Sequence, residues 1–81
     1  MPAQFLIEQM AWREELDEAS GEAELEALED QLTSARRDTL ERIARLLDDK
    51  DDAAAAAEQV RALMFIERFG QDVQARLEQL E

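Results

Sequence analysis

Residues that interrupt helices occur at only three places in this chain. The single proline is Pro2, and the two glycines are Gly21 and Gly70. The remainder is rich in Ala, Leu, Glu, Gln and Arg, which favour helix, and no stretch has the β-branched enrichment that is typical of a strand. Because the chain has 81 residues, we expect one small all-α domain over residues 1–81.

The breaks in the pattern predict three helices. We expect them at about residues 2–19, 22–47 and 52–80, with Pro2 in the opening turn and Ser20 and Gly21 ending the first helix. Asp52 follows a polar turn and is placed to cap the third helix. Since short connections make neighbouring helices antiparallel, the predicted fold is an up-down-up, antiparallel three-helix bundle with a short first helix.

Apolar residues on the second and third helices recur at nearly heptad spacing, which predicts their buried seam. The seam of the second helix is Leu25, Leu28, Leu32, Ala35, Ile43 and Leu46. That of the third helix is Ala56, Val60, Leu63, Ile66, Val73, Leu77 and Leu80. Phe69 is also expected in the core. Gly70 lies inside a predicted helix, where it indicates close packing or a bend.

The first helix has apolar residues on two faces. One narrow arc, expected to be buried, contains Phe5, Trp12, Leu16 and Ala19. The nearly opposite side holds Leu6, Ile7 and Met10 and continues as Ala11, Glu14 and Glu18. A small bundle needs only one buried stripe on each helix. The second face therefore predicts an apolar contact surface with an acidic margin.

Phe65 lies off the predicted stripe of the third helix, and two interpretations are open. It can stack on Phe69 one turn away and widen the buried face. It can equally be an exposed contact residue that belongs to the surface of the first helix.

Composition argues against several functional classes. The chain has no Cys and no His, so the usual nucleophile, proton carrier and metal ligand are missing, and we expect no enzyme, no metal site and no cofactor. Acidic side chains on the first helix are interpreted as a solvated face. A net charge of −12 disfavours nucleic acid and anionic membranes as partners. No membrane span or signal peptide is evident, which predicts a soluble, intracellular protein.

Two segments carry a resemblance to a known family. Residues 5–18 read FLIEQMAWREELDE and resemble the FLMEQ-x-x-x-REEL-x-E segment of the HscB-type J-domain co-chaperones of iron–sulfur cluster assembly. Residues 60–69 read VRALMFIERF and are similar to the VRKL-x-FL-x-KL segment of the same family. The two segments occur in the family's order, and residues 22–52 add only helical character.

The resemblance implies a division of labour between two domains. In the family, a J domain stimulates a DnaK-type chaperone of the HscA type, and a C-terminal three-helix domain binds the IscU-type scaffold protein and presents it to that chaperone. This chain is similar to the C-terminal domain alone and lacks the His-Pro-Asp signature of the J domain, so HscA contact is expected only through the missing domain. The implied location is the bacterial cytoplasm, or the mitochondrial matrix if the source is eukaryotic.

By position, the resemblance assigns scaffold contact to residues on the first and third helices. These are Leu6, Ile7, Met10, Ala11, Glu14, Glu18 and Phe65. Ile7 replaces a common Met with little change of volume, whereas Ala11 replaces a familiar acidic residue and removes one charge. The alternative to scaffold binding is a self-associating structural bundle that pairs the same surface with its own copy.

Overall fold

A computed structural model describes residues 3–80 of the chain and shows three α-helices. Helix α1 spans Ala3–Glu18, α2 spans Glu22–Asp48, and α3 spans Ala53–Gln79. The predicted all-α fold is confirmed, and each observed boundary lies close to the predicted one. The opening turn predicted at Pro2 lies outside the described residues.

The turn between α2 and α3 owes its shape to two aspartates. Asp51 has a φ of 48°, in the left-handed region that reverses the chain direction. The side chain of Asp52 then accepts a hydrogen bond of 3.0 Å from the backbone N–H of Ala55. The predicted N-cap of the third helix is therefore confirmed.

Side-chain pairs show how the helices run. Arg36 contacts Glu67 at 3.3 Å and Arg42 contacts Gln59 at 3.2 Å, so α2 and α3 are antiparallel. Gln31 donates a 3.2 Å hydrogen bond to Glu15, which joins α2 to α1. At 1.5 Å per residue, the 16 residues of α1 measure about 24 Å, whereas α2 and α3, the two arms of the hairpin, each measure about 40 Å. The α2–α3 turn therefore extends beyond the start of α1.

The core lies along the α2–α3 seam and beneath α1. Its buried apolar side chains are Phe5, Trp12, Leu25, Leu28, Leu32, Ala56, Ala62, Ile66, Phe69 and Val73. Leu16 and Ala19 of the predicted arc are half-buried. Phe69 is in the core, as predicted.

The predicted core is wrong at Val60 and Leu80, and it lacks Thr39. Val60 and Leu80 are exposed, at 41% and 53%, because the α3 seam passes through Gln59 and Ala62 and Leu80 lies at the helix end. Thr39 is buried in the gap of the α2 pattern, where its hydroxyl donates a 2.7 Å hydrogen bond to the carbonyl of Ala35. Of the two explanations predicted for Gly70, close packing or a bend, close packing is absent, since an added Cβ would meet no side chain and no other helix within 4 Å.

Candidate functional site

Helix α1 is held to the α2–α3 hairpin by aromatic side chains rather than by close backbone approach. The Phe5 and Trp12 rings meet edge to face at 5.9 Å between centroids. Phe5 contacts Phe65 at 5.8 Å, and Trp12 stacks on Phe65 and on Phe69, both at 6.4 Å. Phe5 near the start of α1 contacts Phe65, and Trp12 further along α1 also contacts Phe69, which lies further along α3. Helices α1 and α3 are therefore parallel, which confirms the up-down-up order.

The outward face of α1 leaves three large apolar side chains in solvent. Leu6 is 47% exposed, Ile7 61% and Met10 65%. Their predicted exposure is confirmed. The apolar residues of α1 are spread around the helix, unlike those of α2 and α3, which are gathered on one side. The core therefore does not account for this second apolar face.

The predicted contact residues of α1 occupy the outward side of the helix, from the flank facing α3 to the flank facing α2. Leu6 and Met10 share a side of the helix with Arg13, whose guanidinium lies 5.5 Å from the centre of the Phe65 ring on α3. Ala11 and Glu18 lie on the other flank and line shallow grooves against α2. Ile7 and Glu14 lie between the two flanks. The α1 residues therefore form a continuous band, and Phe65 adjoins only its α3 edge.

Phe65 itself joins the core. It is half-buried and stacks on Phe69 with 5.7 Å between ring centroids and an interplanar angle of 10°. Of the two open interpretations, the structure shows the one in which Phe65 and Phe69 widen the buried face. The outer edge of the Phe65 ring still reaches a surface pocket, so a contact role for this residue remains a prediction.

On α3, sequence reasoning named Phe65 as a contact residue but missed its neighbours in the pocket. Arg61, Met64 and Arg68 line a shallow pocket of about 310 Å³ together with Phe65. Met64 is 62% exposed, which is comparable to Ile7 and Met10. A helical projection of α3 could have found Met64, because this position lies nearly opposite the core residues Ile66 and Val73.

No group of three or more Asp or Glu side chains within residues 3–80 is arranged to hold a metal ion. None of the three helices described is long and apolar enough to cross a membrane. A raised pKa occurs at Glu26 on α2, away from the α1 face, because its side chain hydrogen-bonds to Glu22 and the two carboxylates repel each other.

The fold and the exposed band define a small three-helix domain that presents an apolar, acid-edged helix to solvent. Residues 1–74 match the family described as the HSCB C-terminal oligomerisation domain. The chain is 46% identical over 76 residues to the co-chaperone protein HscB homolog of Bordetella petrii, covering 93% of this chain and 45% of that protein. It is 43% identical over 84 residues to the Burkholderia thailandensis homolog, covering 100% of this chain and 47% of that protein.

These similarities show the family. The chain belongs to the HscB C-terminal domain family, which confirms the resemblance seen in residues 5–18 and 60–69. It spans about half the length of the curated relatives that it matches. No solved structure gave a significant match.

Proposed function

We propose that this domain binds the IscU-type scaffold protein of iron–sulfur cluster assembly through the outward face of α1. The observation that carries the proposal is the exposure of Leu6, Ile7 and Met10. These three belong to the residues for which the family resemblance implies scaffold contact. Burying them in a complex would remove apolar area from water. Because the helix is already formed in the free domain, little conformational entropy would be lost on binding.

The carboxylates on the same face set the orientation of the partner. Glu14 and Glu18 lie one and two turns beyond Met10, and both are exposed. In a domain of net charge −12 they attract a basic scaffold surface and raise the encounter rate. Ala11 carries no charge and takes no part in this attraction, so the electrostatic contribution of its flank comes from Glu18.

The proposed role in the assembly is presentation of the scaffold to a DnaK-type, HscA-like chaperone. Stimulation of that chaperone belongs to the J domain of the family, and the iron and sulfur chemistry belongs to the scaffold. We place the protein in the bacterial cytoplasm, in line with its bacterial relatives.

The test is a calorimetric titration of the domain with a purified IscU-type scaffold, using variants matched for exposure. Leu6→Ala truncates a side chain that is 47% exposed on α1, and Leu47→Ala truncates one that is 50% exposed on α2. We expect Leu6→Ala to weaken binding by about tenfold or more, as for an interface anchor, and Leu47→Ala to leave it unchanged. Equal effects of the two substitutions, or no binding by the wild-type domain, would contradict the proposal.

Self-association is a second candidate, because the matching family is described as an oligomerisation domain. In this case the α1 faces of two copies would pair around a twofold axis. Sedimentation equilibrium at micromolar concentration separates the two candidates. A dimer that Met10→Asp dissociates supports self-association through this face, whereas a monomer leaves the face free for the scaffold.

A further inference from the structure

A cationic pocket lies beside the α1 face, on a domain whose charge is otherwise strongly acidic. Arg61 precedes Phe65 by four residues and Arg68 follows it by three, so the two arginines flank the ring on one side of α3. Both arginines are exposed, and with Met64 and Phe65 they line the 310 Å³ pocket. The pocket is thus lined by two apolar and two cationic side chains.

These two guanidiniums lack an ion pair among the described residues 3–80. Elsewhere in that range Arg36 pairs with Glu67 at 3.3 Å, and Arg45 pairs with Glu41 at 3.7 Å. Acidic side chains are abundant in residues 3–80, yet none of those described forms an ion pair with Arg61 or Arg68. The hydrogen-bonding forks of both side chains are therefore available to a ligand.

We propose that this pocket receives a carboxylate side chain of the scaffold protein, carried next to an apolar residue. The guanidinium group binds carboxylates through two parallel hydrogen bonds, and the exposed edges of Met64 and Phe65 suit an apolar neighbour. This inference rests on the proposed function and adds the chemistry of a second contact. Nucleic acid is disfavoured as the occupant, because the surrounding charge of −12 repels a phosphate backbone.

The pocket would give the complex a defined orientation. Glu14 and Glu18 on α1 attract a basic part of the partner, and Arg61 and Arg68 on α3 attract an acidic part. Rotating the partner by half a turn would bring like charges together at both places, which is unfavourable. The apolar residues between the two charged regions supply most of the affinity, and the charges select the register.

The experiment measures affinity for a purified IscU-type scaffold with Arg61→Gln, Arg68→Gln and the double variant. Arg37→Gln is the matched control, because Arg37 is exposed on α2 and forms its ion pair with its neighbour Asp38 at 3.9 Å, away from the pocket. Each pocket substitution should weaken binding about two- to fivefold, as expected for an exposed ion pair, and the double variant about tenfold. Each should also reduce the dependence of binding on salt.

In the control variant, affinity for the scaffold should not fall. Every Arg→Gln change makes the domain more acidic, so a long-range attraction to a basic scaffold alone would leave affinity unchanged or make it tighter. Arg37→Gln should behave in that way. Weakening confined to the pocket variants therefore indicates a local carboxylate.

Three results would overturn the inference. If the pocket variants bind as wild type while Leu6→Ala binds weakly, the carboxylate contact does not exist but the proposed function stands. If Arg37→Gln weakens binding as much as Arg61→Gln, the effect is not specific to the pocket and the inference fails. If the wild-type domain does not bind the scaffold, both the inference and the proposed function fail.

Discussion

Truncation of Met10 and of Trp12 should have opposite consequences, although the two residues lie on the same turn of α1. Met10 is 65% exposed, so only about a third of its transfer free energy contributes to folding, or about 0.5–1 kcal/mol. Trp12 is 6% exposed and stacks on two phenylalanines. Its replacement by Ala removes those contacts and leaves a cavity that costs about 3–5 kcal/mol.

Thermal unfolding followed by circular dichroism makes the difference large. For a domain of this size, 1 kcal/mol shifts Tm by about 4–8 °C. Met10→Ala should therefore lower Tm by less than about 8 °C, and the higher helix propensity of Ala offsets part of that loss. Trp12→Ala should lower it by more than about 12 °C, a large share of the marginal stability of a small domain.

Binding should show the reverse order. Met10→Ala should weaken scaffold affinity by about tenfold or more, whereas Trp12→Ala, measured well below its own Tm, should affect affinity mainly through the position of α1. Phe65→Ala should lower both quantities, because the ring belongs to the aromatic cluster and also lines the pocket. If Met10→Ala melts as low as Trp12→Ala, the outward face of α1 is part of the core and the reasoning is refuted.

Three further predictions concern stability alone. Gly70→Ala should raise the free energy of unfolding by about 0.5–1 kcal/mol, because its Cβ has open space; destabilisation in urea titrations would contradict this. Asp52→Ala should lower it by about 1 kcal/mol through loss of the cap, and Asp52→Asn, which keeps an acceptor, should lower it less. The raised pKa of Glu26 means that the folded state holds its proton more tightly, so this contribution to stability is present at low pH and is lost as pH rises through that pKa. Glu26→Gln should remove this contribution from the pH dependence of the unfolding midpoint in the acidic range. An unchanged pH dependence would exclude the Glu22 interaction as its cause.

Most of the fold was predictable because helix-breaking and capping residues mark the ends of the three helices. The errors occur where the polarity of a side chain does not match its position in the heptad. Thr39 and Gln59 occupy seam positions although they are polar, and both satisfy their polar groups locally or across the hairpin. Val60 is apolar but falls one position beyond the seam, so apolarity alone misplaced it.

The α1 part of the candidate site was predictable for a different reason. Leu6, Ile7 and Met10 contradict the amphipathic pattern of their own helix, and this contradiction is visible without coordinates. The dual position of Phe65 was not predictable, because it depends on the distance at which Trp12 holds α1 from α3. The positions of Arg61 and Arg68 beside that ring follow from helical spacing alone, but the partial exposure of the ring between them depends on the packing of α1.

The packing of α1 explains why the proposed band of contact residues lies on this helix. The α2–α3 seam uses small residues such as Ala56, Ala62 and Val73, which let two long helices approach closely and bury their apolar faces against each other. Helix α1 is fixed chiefly by two large aromatic side chains, which need only a narrow arc of its circumference. The rest of the helix surface is free to vary without loss of the fold. On the proposed function, a partner surface placed there would use the hairpin as its support, and apolar substitutions on it should change binding at little cost to stability.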